Sequence, residues 1–184
     1  LFKDILKIDF ESKKNGNWEE IPQDILKIIE EKKVDLVFKF GMGLLKVPNK
    51  EISKYGFFSF HHGDSNYYRG RPACFYEFLN KEKKIGKIIQ KLENNIDTGS
   101  IREIIYSKIF HYSFQKTVNN VYSNSTLLLD IFLKNIKNQS HIKNSNGKLY
   151  KLPNNLLSLK FLILNYLYFV KQILFWSFFY NDWN

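Results

Sequence analysis

Residues 56–60, Gly-Phe-Phe-Ser-Phe, form an apolar run of strand length that ends in His61-His62-Gly63, and this ending constrains the chain more than any other feature. A run so short and so rich in aromatic residues reads as a buried strand, which places the histidines at the end of a sheet. The chain continues as a glycine-punctuated loop, Tyr68-Arg69-Gly70-Arg71-Pro72, that carries two guanidinium groups. Further on, Asn95-Ile96-Asp97-Thr98-Gly99 puts a carboxylate in a tight turn. Together these stretches have the composition of a site rather than of a core.

The surroundings of that strand alternate between helix and strand. Ile21, Ile25, Ile28 and Ile29 recur at helical spacing, and Pro22 suits a first helical turn, so a helix is predicted over 22–33. Val34 to Phe40 is rich in β-formers and stops at Gly41-Met42-Gly43. Pro72 to Leu79 reads as a proline-opened helix, and 86–92 and 101–109 as two strands joined closely enough to be antiparallel neighbours. Such alternation predicts an α/β fold with a Rossmann-like, mostly parallel sheet. Residues 113–136 read as one helix and 138–146 as a polar linker, giving an α/β unit over 1–112 and a helical C-terminal extension over 113–184.

The extension ends in an apolar segment, 156–180, interrupted by Lys160, Asn165, Lys171 and Gln172. It is long enough to cross a bilayer, yet Lys171 would sit deep, so a helix packed on the domain is expected. Peripheral membrane contact through 156–183 is the alternative.

The formal net charge of +10 does not predict a nucleic-acid partner. Of 28 basic residues only Arg69, Arg71 and Arg102 are arginines, and scattered lysines lack the bidentate fork that reads phosphates and bases. A single cysteine, Cys74, excludes an intramolecular disulfide and a cysteine-cluster metal site, and it fits a reducing, cytoplasmic setting. The histidines are not spaced for a metal, so none is expected. The chain begins at Leu1 and its one methionine is Met42, so the expectation is a piece of a longer protein that lacks a first strand.

Side chains alternate along a strand, so Ser59 and His61 share one face while Phe58, Phe60 and His62 share the other. A histidine at a strand end can donate to a developing oxyanion or move a proton near neutrality, and a carboxylate such as Asp97 can hold its ring. Arg69 and Arg71 offer guanidinium groups to an anion; an alternative is that they pair with acids in a structural loop.

At these residues the chain resembles the N-terminal domain of the formyltransferases, the family that formylates methionyl-tRNA, glycinamide ribonucleotide and amino sugars. The family pattern is Asn-x-His-x-Ser, then Arg-Gly, a helix, and Asp-x-Gly. This chain supplies Ser59-Phe60-His61-His62-Gly63, Tyr68-Arg69-Gly70 and Asp97-Thr98-Gly99, and the resemblance spans roughly 22–110. Asp35 to Pro48 is similar to the segment that lines the family's folate pocket. The resemblance implies transfer of a formyl group from 10-formyltetrahydrofolate to an amine, with His61, Asp97 and Ser59 as catalytic positions. It implies Gly41, Met42, Gly43, Leu44, Leu45 and Asp97 for the folate, and Arg69 and Arg71 for the acceptor. The expected partner is a small-molecule amine, an amino sugar or a similar small acceptor. Ser59 departs from the family's asparagine, and residues 1–18 resemble nothing in it. Two alternatives follow: a folate- or sugar-binding relative that no longer catalyses, or a membrane-associated accessory protein.

Overall fold

The chain's structure, a computed structural model, describes residues 5–137 and 145–181, with side chains as far as Phe175. In chain order the elements begin with β1 (Lys13–Asn15), β2 (Trp18–Glu20), α1 (Gln23–Glu31), β3 (Leu36–Lys39) and β4 (Leu44–Lys46). They continue with β5 (Gly56–His61), β6 (Tyr68–Gly70), α2 (Phe75–Leu79), β7 (Lys84–Lys91) and β8 (Ile101–Lys108). The last are α3 (Phe114–Ser123), α4 (Ser125–Asn135), β9 (Lys148–Tyr150) and α5 (Asn155–Asn181).

A four-stranded sheet in the order β3-β5-β7-β8 carries the molecule. β3 and β5 run parallel, in the register Lys39 opposite Ser59, whereas β7 runs antiparallel to both β5 and β8. The alternation of elements is therefore that of an α/β fold, with parallel pairing in this sheet confined to β3–β5. The reason lies in the connections: β3 returns to β5 through a loop holding β4, while β7 and β8 are joined by a short turn that permits only an antiparallel pair. A smaller sheet orders β1-β2-β4, and β6 pairs in parallel with β9, so a strand from the C-terminal segment closes against the arginine loop.

The sheet buries its back face under α3 and α4. Phe58 and Ile89 meet Leu128 and Phe132 there, with Phe38, Phe60 and Ile105 at the margin. The expected single helix over 113–136 is instead two, α3 and α4, divided at Asn124. The Asn124 amide donates to the Asn120 carbonyl at 3.1 Å, a local side-chain bond that competes with the helical ladder. The helix expected from Pro72 starts later, at Phe75, because Cys74 adopts a left-handed φ of 66°. Of the expected polar linker, residues 138–144 lie outside the described part.

α5 is 27 residues long, about 40 Å at 1.5 Å per residue. One stripe of it packs on the domain: Leu157, Phe161 and Tyr168 join Phe75, Phe78, Ile85, Ile109 and Val121, with Phe161 stacked on Phe75 at 4.6 Å. Asn165, polar within the apolar run, accepts the Phe114 amide at 3.3 Å. Leu159, Leu162, Ile163, Leu167 and Phe169 are exposed, and Asn155–Phe175 is long and apolar enough to cross a membrane by length and composition.

Candidate active site

Three adjacent strands present one row of polar side chains on the front of the sheet. Ser59 on β5 lies opposite Lys39 on β3 and opposite Gln90 on β7. Paired residues on neighbouring strands point to the same face, so all three look into one cavity. This cavity, of about 80 Å³, is also lined by Leu44, Leu45, Asp97, Thr98 and Gly99. Ser59 and Gln90 are buried, at 4% and 2% exposure, and burying polar groups this deeply is costly unless they are paired. Gln90 Nε2 donates to Asp97 Oδ1 at 2.7 Å, but its Oε1 has no hydrogen-bond partner among the described residues.

Asp97 is the hub. Its Oδ2 accepts the Gly70 amide at 2.8 Å and faces His61 Nδ1 at 3.5 Å, while φ of 49° at Asp97 turns the loop so that the carboxylate reaches over the sheet. His61 Nε2 lies 3.0 Å from the Tyr68 carbonyl oxygen, which can only accept, so Nε2 carries a proton and donates. With a carbonyl against one nitrogen and a carboxylate facing the other, the ring is held on both sides.

The turn that carries Asp97 is tied down from below. Arg69 donates through Nε at 3.1 Å and Nη2 at 2.9 Å to the Ile96 carbonyl, and through Nη1 at 3.4 Å to the Gly147 carbonyl. Ser145 donates to the Gly99 carbonyl at 2.9 Å and receives Ser65 at 2.6 Å. Two glycines are obligatory here. A Cβ on Gly99 would stand 1.6 Å from the Lys91 carbonyl oxygen, and one on Gly70, already at φ 91°, would stand 2.0 Å from that of Tyr150.

The neighbouring histidine faces the other way. His62 reaches the back of the sheet, where its ring packs 4.1 Å from Tyr122 and Nε2 lies 3.3 Å from Ser125 Oγ. Burial, with smaller contributions from His61 and Lys87, pushes its pKa down to about 4. Glu77, buried on α2, goes the opposite way: burial raises its pKa to about 7. Asp64 holds the loop between them, accepting Asn66 and the Tyr106 hydroxyl at 2.7 Å. No group of three His, Cys, Asp or Glu side chains able to hold a metal occurs among the described residues.

The sequence matches no family model and none of the curated proteins. Solved structures do match. A Mycobacterium tuberculosis protein assigned as a sugar N-formyltransferase superposes with a TM-score of 0.53 at 17% identity, covering 77% of this chain and 67% of that one. The methionyl-tRNA formyltransferase of Clostridium thermocellum gives 0.51 at 11% identity, covering 73% and 59%. HypX of Aquifex aeolicus, crystallised with tetrahydrofolic acid, gives 0.51 at 12% identity, covering 72% and 23%. The chain has the formyltransferase fold. It spans from about a quarter to two thirds of the length of these structures.

Within this formyltransferase fold, the expected residues separate into groups. Ser59 and Asp97 meet in the cavity with Leu44 and Leu45, and His61 stands behind Asp97. Gly41, Met42 and Gly43 form the turn before β4, with the Met42 and Gly43 carbonyls directed at the Lys39 ammonium. Arg69 has its guanidinium committed to backbone carbonyls, whereas the Arg71 side chain is exposed. Lys39, Gln90 and Trp18 line the cavity without having been singled out in the sequence. Lys39 and Gln90 look like ordinary polar residues within strands, and only the pairing register turns them toward Ser59.

Proposed function

We propose that the chain transfers a formyl group from 10-formyltetrahydrofolate to the amino group of a sugar-linked acceptor. The observation that carries this reading is the convergence of His61, Asp97, Ser59 and Gln90 at one end of the sheet in a formyltransferase fold. Support for a folate comes from the HypX structure with tetrahydrofolic acid and from the cavities that lead away from Asp97. The cavity beside Asp97 shares Lys91 and Leu92 with a second of about 170 Å³, which shares Val47, Pro48, Lys50 and Ile52 with a third of about 370 Å³. A row of cavities suits an elongated ligand with its reacting end at Asp97.

In the proposed reaction the acceptor nitrogen attacks the formyl carbon, and the formyl oxygen takes up the negative charge. Asp97, backed by His61, receives the proton that leaves the nitrogen. Collapse of the intermediate restores the carbonyl, breaks the bond to N10 of the folate and delivers a proton to N10. The products are the formamide and tetrahydrofolate. Gln90 Oε1, buried and without a partner among the described residues, would accept from the incoming amine or from the folate in this reading.

The test is turnover of 10-formyltetrahydrofolate with a panel of dTDP- and UDP-linked amino sugars. Release of tetrahydrofolate that depends on an acceptor and is abolished by His61→Ala supports the reading. A folded chain that binds tetrahydrofolate and transfers to none of them favours a binding relative.

A further inference from the structure

The front cavity is bordered by two lysines, Lys39 and Lys91, and their side chains differ in what they meet. Lys91 contributes backbone; its side chain lies over Gly56, where an added Cβ would come within 2.8 Å of its Cε. Lys39 is half-buried, in register with Ser59, and its Nζ donates to the Gly43 carbonyl at 2.7 Å and the Met42 carbonyl at 3.4 Å. An ammonium has three donors, so two carbonyls leave it one to give. Burial lowers its pKa, while the Asp97 and Glu19 carboxylates oppose that and favour the charged form.

Several of the other donors near the cavity already serve the protein. Gln90 Nε2 and the Gly70 amide both serve Asp97, and His61 Nε2 serves the Tyr68 carbonyl. Ser59 and Lys39 line the cavity side by side on adjacent strands. A serine hydroxyl is short, and a lysine reaches past it.

We propose that Lys39 stabilises the oxyanion formed when the acceptor nitrogen adds to the formyl carbon, with the Ser59 hydroxyl beside it. The inference rests on the formyl-transfer reading above. The formyl oxygen gains charge as the new C–N bond forms and loses it as the bond to N10 breaks; Lys39 keeps its protons throughout and acts by hydrogen bond and charge alone. Fixed donors aimed at developing charge in a site shielded from water act mainly on the rate rather than on binding of the ground state.

The experiment compares the wild-type chain with Lys39→Met, Lys39→Gln and Lys39→Arg. It measures transfer from 10-formyltetrahydrofolate to the nucleotide-linked amino sugars, tetrahydrofolate affinity by calorimetry, and thermal melting. Lys39→Met is expected to lower kcat about 100-fold, with KM and tetrahydrofolate affinity within about threefold of wild type. Lys39→Arg, which keeps the charge, should recover most of that loss, and Lys39→Gln should fall between. If Lys39→Met or Lys39→Gln folds and turns over at the wild-type rate, the inference is overturned while formyl transfer stands. If the variants lose rate only in proportion to lost folded protein, Lys39 is a structural residue and the inference again fails. A wild-type chain without transfer overturns the formyl-transfer reading, and this inference with it.

Discussion

Asp97 meets His61 through Oδ2, the same oxygen that accepts the Gly70 amide. One carboxylate thus orients the histidine and pins the arginine loop at once. Asp97→Asn keeps the left-handed turn, since asparagine tolerates positive φ, but removes the charge opposite His61. Formyl transfer is expected to fall about 100-fold or more while the melting temperature moves by only a few degrees. Steady-state kinetics beside thermal melts would separate the two effects.

Arg69 and Arg71 should differ in kind. Arg69 holds the Ile96 and Gly147 carbonyls, so Arg69→Met should cost about 1–3 kcal/mol of stability by urea unfolding and lower activity through the displaced turn. Arg71 is exposed, and Arg71→Met should leave unfolding within about 0.5 kcal/mol of wild type. An effect of Arg71→Met on affinity for the nucleotide part of an acceptor would assign that side chain to the substrate.

The close approach at Gly99 leaves no room for a side chain. Gly99→Ala would drive a methyl into the Lys91 carbonyl, and the turn must move to relieve it. A loss of about 3 kcal/mol or more is expected, together with loss of tetrahydrofolate binding, because Asp97 moves with the turn. Unchanged unfolding and unchanged calorimetry would count against the geometry of this loop.

Glu77 and His62 make opposite demands on pH. Glu77, with its pKa raised from 4.5 to about 7, contributes stability that is full below 4.5 and is lost as pH rises to about 7. His62, lowered from 6.5 to about 4, contributes stability that is full above 6.5 and is lost as pH falls through about 4. Each shift corresponds to about 3 kcal/mol, and between pH 4.5 and 6.5 the slopes oppose one another. Relative to wild type, Glu77→Gln should therefore gain stability as pH rises through this window, and His62→Gln should gain it as pH falls. Urea unfolding across the window, each variant against wild type, checks both signs.

What could be read in the sequence was what depends on local period and local turn chemistry. Ser59 and His61 share a face because strands alternate, and His62 turns away for the same reason. Asp97 was legible because Asp-Thr-Gly is a turn. Lys39 and Gln90 were not, because their place depends on how β3, β5 and β7 align, and no local pattern encodes the register between strands. The partners of Arg69 lie on loops that are distant in sequence, so its carbonyl bonds were invisible in the chain. The break at Asn124 left a trace, asparagines at 120 and 124, that the apolar periodicity on either side concealed. Pairing of β9 with β6 had no comparable trace, since β9 is three residues long.

The strand β5 turns two identical neighbours into opposites: His61 belongs to the Asp97 hub and His62 to the packing beneath α4. Descent with insertion or deletion is consequently restricted along this strand. Gaining or losing one residue between Gly56 and His61 would exchange the two rings across the sheet, taking the ring that faces Asp97 beneath the helices and turning the packed ring to the other side. Lineages of this chain should accept substitutions at these positions far more readily than a change in their number.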